Sequence, residues 1–510
     1  MLKSIDNILN RITMYRVVLY YLLALWGIAL AFSFFGILPY NPLAMTFSAA
    51  FIVAICWSAN NIFSRIFEAP TNVESIFITA LILALIITPL KSLADTGGMM
   101  FLFWASVWAM ASKYILAIKK KHIFNPAGFA VALTALTIGS SATWWVGGTL
   151  QMMPFVLAGG LLLVRKIQRF DLSIAFFLSA MVSILWTGVS PLSGPLDVMY
   201  KALVHAPIFF FAFVMITEPL TTPPTKITRI LYGIFTGLLF APAIHIGSIY
   251  STPELALLCG NAFSYLLSPK SKFILQLKNK ERMSTDVYDF VFTPNQKLSF
   301  RPGQYLEWTL PHEGSDSRGN RRYFTIASSP TEKELRVGVK FYPQPSSFKK
   351  SLFSMGADKK IVGAQLSGDF VLPRNKNRKL ALIAGGIGIT PFRSMVKYLL
   401  DKNEKRDIAL FYSNKTADDI IYRDVFDEAE RRLGIRTVYT VTDTQSAPRE
   451  GKIRKGRISP EILMKALPDY SERMFYLSGP RSMVVAFEET LKALGVKKRK
   501  IKTDFFPGFA

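Results

Sequence analysis

Residues 380–393 read Leu380-Ala381-Leu382-Ile383-Ala384-Gly385-Gly386-Ile387-Gly388-Ile389-Thr390-Pro391-Phe392-Arg393: an apolar run of strand length, a glycine turn, then a proline where a helix would open. Glycine at such a turn lets backbone N–H groups come close to a pyrophosphate, and the helix N-terminus behind it adds positive potential. A tight strand-to-helix turn wants glycine with or without a ligand, so these residues decide the local fold and leave binding open. The pattern then repeats: Ile408 to Tyr412, a helix around Asp424 to Arg432, Arg436 to Val441, a helix around Pro460 to Leu467, Met474 to Leu477, and a helix from Met483. Strand and helix in alternation predict a doubly wound, parallel α/β domain over residues 376–510. Upstream, Phe273 to Leu277, Val287 to Thr293, Gln304 to Leu310 and Leu335 to Phe341 are short runs broken by Pro and Gly, which predict a small antiparallel β-barrel over residues 270–375.

Before residue 270 the material changes. Residues 1–269 hold 15 Lys and Arg against 8 Asp and Glu, and residues 270–510 hold 45 against 27, so a chain of net charge +25 is +7 in its first part and +18 in its second. Ten apolar segments, many near the ~20 residues that cross a bilayer core, fill the first part. They lie near 16–38, 43–63, 74–90, 98–118, 126–146, 149–164, 172–190, 198–217, 227–247 and 252–267. A cleaved signal peptide does not fit a long first segment followed by nine more. The expected class is therefore multi-domain: a polytopic all-α membrane domain over 1–269, then the barrel, then the α/β domain.

Basic residues should gather in cytoplasmic loops. Lys3, Arg11 and Arg16 precede the first segment, Arg65 follows the second, Lys119 to Lys121 the fourth, Arg165, Lys166 and Arg169 the sixth, and Lys226 and Arg229 the eighth. Lys91 and Lys201 are the exceptions in otherwise bare intervening loops. Both termini and everything after Lys270 are thus expected in the cytoplasm, with the protein integral to a membrane of the bacterial inner-membrane type. Two cysteines, Cys56 and Cys259, exclude a disulfide framework and any four-thiolate zinc or iron-sulfur site supplied by this chain.

From Arg301 onward the sequence resembles the ferredoxin-NADP reductase family. Arg301-Pro-Gly-Gln-Tyr-Leu306 is similar to the barrel strand before the flavin, and Arg322-Tyr323-Phe324-Thr325-Ile-Ala-Ser-Ser-Pro330 to the family's R-x-Y-S-I-A-S-x-P signature. The resemblance implies FAD held by Arg322, Tyr323, Phe324 and Thr325, with Arg322 on the pyrophosphate, Phe324 on the ring system and the Thr325 hydroxyl near flavin N5. Ser346 and Ser347, opening a short helix, would hold the FAD phosphates, and Gly368-Asp-Phe-Val-Leu-Pro373 would close the barrel. Gly385, Gly386, Gly388, Thr390 and Pro391 would face the nicotinamide dinucleotide. Ser478-Gly479-Pro480 stands where the family has C-G-P, placing a hydroxyl near the nicotinamide. The final Thr503-Asp504-Phe505-Phe506 would lay an acid and an aromatic over the flavin, Phe505 in the catalytic position and Phe506 against the cofactor. Hydride passes directly between nicotinamide and flavin in this family, so the protein's task is alignment and electrostatics, with no obligatory acid or base. Lys415 and Arg423 could answer a 2'-phosphate but are ordinary on a basic domain, so the donor is written NAD(P)H.

In the first part, Lys121-His-Ile-Phe-Asn125-Pro-Ala-Gly-Phe129 resembles the F-N-P-A element of the RnfD/NqrB family, ten-helix subunits of membrane redox pumps. Pro70 to Leu83 and Phe209 to Pro223 agree with it. The resemblance implies a second flavin, FMN, in the membrane domain; Ser140-Ser-Ala-Thr143 has the letters of the covalent attachment sequence, although the loop after it is short, and noncovalent flavin is the favoured form. Lys113 is close enough to a helix end to reach water. Glu74, Glu218 and Asn125 beside prolines suggest a pocket or a capping role. His205 and His245 fall on different segments, neither with two spaced histidines, which disfavours a haem-linked reductase.

The expected function is therefore electron transfer from cytosolic NAD(P)H through FAD into the membrane domain and on to a quinone, flavin or redox protein. A redox-driven cation transporter is the alternative. Membrane lipid is a partner; nucleic acid is not, and no metal site is expected.

Overall fold

The computed structural model describes residues 5–6, 9, 12–67, 73–118, 121–190, 193–267, 272–316, 319–357, 359–443 and 453–504. The chain forms two compact units, the first running to Lys272 and the second beginning at Phe273.

The first unit is helical: α1 Met14–Phe34, α2 Pro42–Ile66, α3 Val73–Ile86, α4 Thr96–Ile115, α5 Pro126–Ile138, α6 Met153–Ile167, α7 Phe170–Gly188, α8 Pro195–Val204, α9 Ile208–Met215, α10 Lys226–Leu238 and α11 Pro253–Leu267. Local chemistry sets many starts. Thr13, Asn41, Asp95, Asn125 and Thr225 cap free N–H groups with their side chains, and Pro42 and Pro126 occupy first turns where no N–H is needed. Among the described residues α1, α2 and α7 are each long and apolar enough to cross a membrane, and α8 with α9, bent by 59°, would make a fourth span. The second helix of that pair continues as a π-helical turn over Phe211–Met215.

Two segments expected to be long helices are cut short. The 126–146 segment ends as helix at Ile138, where Gly139 turns left-handed at φ 66°, and the chain then folds back over the end of α3. Thr143 and Trp144 N–H donate to Ile86 O, Val146 N–H to Leu85 O, and the Trp145 indole to Ala84 O and Ile87 O. That loop satisfies the carbonyls that α3 leaves open, so α3 can stop inside an apolar unit. The 227–247 segment ends at Leu238, and His245 lies in a short hairpin with Tyr250 rather than on a helix.

Helix α10 packs on α7 through small residues. A Cβ on Gly233 would lie 2.9 Å from Leu172 O, and one on Gly237 2.6 Å from Phe176 O, so both glycines permit direct backbone approach in the small-xxx-small manner of membrane helices. Polar contacts tie residues near helix ends to one another. Arg16 meets Glu74 at 3.0 Å, Arg165 meets Asp6 at 2.7 Å, Arg229 meets Asp171 at 3.0 Å, and Lys113 Nζ donates to Ser75 O at 3.1 Å. Lys113 is thus tied to the first turn of α3, not extended toward water as expected, because that turn lies beside it.

The second unit contains two six-stranded sheets. The antiparallel sheet has the order β4-β3-β6-β1-β2-β5, from β1 Phe273–Arg282, β2 Val287–Pro294, β3 Tyr305–Thr309, β4 Arg321–Thr325, β5 Leu335–Lys340 and β6 Lys360–Ser367. Its edges meet just beyond β4, where Ala327 N–H donates to Arg336 O at 2.8 Å. Helix α12 Ser347–Phe353 buries Phe348 and Leu352 in its core.

The parallel sheet has the order β10-β9-β8-β7-β11-β12, from β7 Leu380–Gly385, β8 Ile408–Asn414, β9 Arg436–Val441, β10 Ile453–Lys455, β11 Met474–Ser478 and β12 Ile501–Thr503. The helices between are α13 Thr390–Asp401, α14 Arg423–Leu433, α15 Pro460–Ala466 and α16 Arg481–Ala493. Strand order reverses direction between β7 and β11, and in such sheets ligands bind beyond the strand ends at that switch point. β7 is buried throughout, as a central parallel strand must be.

Candidate functional site

Strand β4 divides the predicted flavin motif between two faces, because successive strand residues point to opposite sides. Arg322 and Phe324 share one. The Arg322 guanidinium lies 5.3 Å from the Phe348 ring centroid, Phe324 packs 6.0 Å from the same ring, and Arg322 is held by Gly319 O and Arg321 O at 3.1 and 2.6 Å. Tyr323 takes the other face, where its hydroxyl donates to Glu307 at 2.8 Å. Thr325 is buried opposite Tyr305 in register.

The residues around Arg322 fit an anion. Asp316 already places a carboxylate there, with Oδ2 accepting from Ser347 N–H at 3.0 Å and Oδ1 lying 3.8 Å from the Arg322 guanidinium. A phosphate oxygen asks for the same donors. Both candidate serines have local partners: Ser346 caps α12 by accepting from Lys349 N–H, and the Ser347 hydroxyl accepts from Asp316 N–H at 2.9 Å and bonds His312 at 3.0 Å. Asp316 and His312 belong to the site and carry no sequence signal that singled them out.

At the switch point the three glycines have different duties. A Cβ on Gly388 would come within 2.5 Å of Gly479 N and Ser478 O, and one on Gly385 within 2.4 Å of Met483 Sδ, so these two let the exits of β7 and β11 pack together. Gly386 alone combines a left-handed φ of 52° with open space, its nearest neighbour being Asn414 Oδ1 at 3.9 Å. It is the glycine whose backbone a dinucleotide could approach. Pro391 sits in the first turn of α13, and the Thr390 hydroxyl donates back to Ile387 O at 3.2 Å. Arg423, considered for the adenosine end, is engaged with Asp427 at 3.2 Å.

Ser478 Oγ donates to Asp504 Oδ2 at 3.1 Å, just beyond the exit of β11, and Asp504 N–H donates to Leu477 O at 2.9 Å. Part of Asp504 reaches the surface, but burial of its carboxyl pushes the pKa up to about 7, opposed by the Ser478 hydrogen bond. Gly479 and Pro480 carry the chain from Ser478 into α16. Phe505 and Phe506 lie outside the described residues.

The first unit has its own buried polar cluster. Asn125 Nδ2 donates to Glu218 Oε2 at 2.9 Å, His122 Nε2 lies 3.4 Å from Glu218 Oε1, and Asn261 joins Asn125 N–H at 2.8 Å to the Tyr232 hydroxyl at 3.1 Å. Asn125 and Glu218 therefore come together, whereas Glu74 pairs with Arg16. Thr143 bonds Thr88 through their hydroxyls at 2.8 Å, next to Trp144, whose indole donates to the buried Glu254 at 3.0 Å. Trp144 and Trp145 are buried, the Trp145 indole against the end of α3 and the Trp144 indole against the Glu254 side chain of α11. Among the described residues no group of three His, Cys, Asp or Glu side chains could hold a metal ion.

Residues 96–272 match the NQR2, RnfD, RnfE family, and residues 382–489 match the oxidoreductase NAD-binding domain. The chain is 28% identical over 239 residues to a flavohemoprotein of Burkholderia sp. (strain TH2), covering 46% of this chain and 58% of that one. It is also 28% identical over 246 residues to NADH-cytochrome b5 reductase 1 of Ajellomyces capsulatus, covering 46% and 77%. It thus spans less than two thirds of the flavohemoprotein. Among solved structures, the flavohem-like FAD/NAD-binding domain of a nitric oxide dioxygenase from Vibrio cholerae aligns at 23% identity with a TM-score of 0.41, over 46% of this chain and 98% of that one.

Proposed function

We propose that this chain, a membrane domain of the RnfD/NQR2 family joined to a ferredoxin reductase-like module, carries electrons from NAD(P)H through FAD into its helical unit. The second unit is an NAD(P)H-dependent FAD oxidoreductase. The reading rests above all on one juxtaposition: Gly386 and the Ser478–Asp504 pair stand at the switch point of the parallel sheet, in one compact unit with the strand bearing Arg322 to Thr325. FAD, when bound, supplies a group that accepts a hydride and releases electrons one at a time. Arg322 with Ser347 N–H would hold its pyrophosphate, Phe324 would cover the ring, and Thr325 would stand at the reacting edge. Gly386 would admit the nucleotide, with Ser478 and Asp504 beside the nicotinamide.

The ten apolar segments would make a ten-helix membrane domain, and the antiparallel sheet a flavin barrel. Arg16, Lys113, Arg165 and Arg229 lie near helix ends, and the positive-inside rule would make those ends and the reductase module cytoplasmic. A flavin in the helical unit would be the next carrier, and the acceptor beyond it a quinone, a flavin or a redox protein.

Flavin analysis of the purified full chain before and after denaturation tests this reading. It expects FAD that NADH or NADPH bleaches, plus a second flavin. FAD alone would leave the helical unit without its carrier; a second flavin retained after denaturation would point to Thr143. The Glu218 cluster favours cation transport as a second reading, since an ionisable group inside a membrane unit is a functional candidate by default. That reading expects turnover to depend on a cation and to lose the dependence in Glu218→Gln.

A further inference from the structure

The antiparallel and parallel sheets of the second unit are joined by a buried polar contact that no motif announced. Arg393 belongs to α13, the helix opened by the glycine turn, and its side chain is 7% exposed. Its guanidinium reaches across to the segment that continues the flavin strand: Nη1 donates to Ala327 O at 3.1 Å, and Nη1 and Nη2 hold the Glu332 carboxylate, Nη2 at 2.9 Å. Glu332 in turn accepts from Ser329 N–H at 2.6 Å. The next residue of α13 adds a parallel tie, Ser394 Oγ donating to Ser328 O at 2.6 Å. From the other side the Arg393 guanidinium lies 5.6 Å from the Tyr422 ring, and a Cβ on Gly338 of β5 would stand 2.9 Å from both the Tyr422 hydroxyl and Thr390 Cγ2. Side chains from the α/β half pack closely on β5 there, and a side chain at Gly338 would have to displace them.

We propose that Arg393 is a positioning residue for hydride transfer, clamping the Ala327–Glu332 segment to the helix of the glycine turn so that the flavin edge at Thr325 and the nicotinamide pocket at Gly386 keep a fixed separation. This rests on the reading of the module as an NAD(P)H–FAD oxidoreductase. Only Ile326 separates Thr325 from Ala327, and α13 starts directly after the turn that carries Gly386, so little chain lies between the clamp and either reacting partner. A planar, bidentate guanidinium fixes orientation as well as distance, which a lysine ammonium cannot. Transfer rates fall steeply when reacting atoms are misplaced by about 1 Å. Arg393 touches neither cofactor in this scheme; it acts through the segment it holds.

Arg393→Lys in the full chain, followed by stopped flow, tests the inference. Reduction of the bound flavin by NADH in a single turnover should slow by about tenfold or more, while flavin content and the NADH dissociation constant stay within about twofold. The primary isotope effect with 4-deuterated NADH should be fully expressed, marking hydride transfer as the slowed step. An unchanged transfer rate at a temperature well below the variant's thermal midpoint would overturn the proposal and leave the contact purely structural. Should Arg393→Lys not retain flavin, Ser394→Ala, which removes the parallel tie alone, carries the test: a smaller slowing of the same step is expected, and an unchanged rate overturns the proposal. The wild-type chain separates the two readings. If neither NADH nor NADPH bleaches its flavin, the oxidoreductase reading falls; if either does and the variants match the wild type with it, only the positioning role falls.

Discussion

The two ends of strand β11 carry aspartates that behave in opposite ways. At its entry Arg473, 2% exposed, holds both Asp469 and Asp407 with paired hydrogen bonds, and this keeps the Asp469 carboxyl down at about 2. At its exit Asp504 has a serine hydroxyl for a partner and a carboxyl pushed up to about 7 by burial. The Asp469 carboxylate at the entry is charged, answered and structural. The exit carboxyl is poised near neutrality beside the switch point, which is the arrangement expected where chemistry is done and not where a fold is held.

The exit should be the more fragile in shape. Gly388→Ala would drive a methyl to 2.5 Å from the backbone of both Ser478 and Gly479, and no side-chain adjustment relieves a backbone clash. A loss of about 3 kcal/mol or more, read by denaturant unfolding, is expected, as for severe overpacking. If Gly388→Ala is tolerated, the exits of β7 and β11 are not held together as described. Next in size is the entry. Arg473→Met removes the guanidinium from two carboxylates and from Leu380 O, and because Asp407 is half-exposed and Asp469 keeps Lys379 at 2.9 Å the cost is nearer about 2 kcal/mol than the full penalty for orphaning a buried pair. Flavin content and NADH affinity should not change, and a loss of either would erase the distinction between a holding end and a working end. Gly386→Ala comes third: the site is open but left-handed, so about 1 kcal/mol of strain is expected together with a several-fold rise in the NADH dissociation constant.

The sequence carried the layout of these ends better than their chemistry. The apolar run before Gly385 and the alternation after it place β7, β8, β9 and β11, because a buried parallel strand is written in consecutive residues. β4, β10 and β12 were less visible because they are short edge strands that mix charged and apolar residues, and β6, Lys360–Ser367, because Gly363 and Gln365 interrupt its apolar run. Arg322, Phe324, Gly386, Ser478 and Asp504 were legible through motifs. Arg393, Glu332, Asp316 and Arg473 were not, for each works by meeting residues far along the chain, as when Arg393 reaches Glu332. In the helical unit apolar length predicted helices but overstated α5 and α10, because what ends them is a left-handed Gly139 in one case and a tight hairpin in the other. Hydropathy does not separate a span from an apolar loop packed over a helix end.

Near pH 4 the smallest effect on stability belongs to Asp504→Asn, and its pH dependence gives the sharpest test of the comparison. A carboxyl whose folded pKa of about 7 exceeds its ordinary ≈ 3.9 binds its proton more tightly folded than unfolded. Its contribution to stability is therefore full below about pH 4 and is lost as pH rises through about 7. Asparagine cannot ionise, so the variant should match the wild type near pH 4, lack that decline, and be the more stable chain at pH 8. Thermal midpoints taken from pH 4 to 8 check this, and the rate of flavin reduction by NADH should lose an inflection near pH 7 in the same variant. Ser478→Ala sharpens the assignment, since it removes the one hydrogen bond that favours the charged form and should move the inflection upward. Asp469→Asn, at the other end of the strand, should leave the pH 4 to 8 profile unchanged, because the Asp469 carboxyl titrates near pH 2, below that window. Identical profiles in the wild type and Asp504→Asn would mean that the exit carboxyl is as structural as the one at the entry.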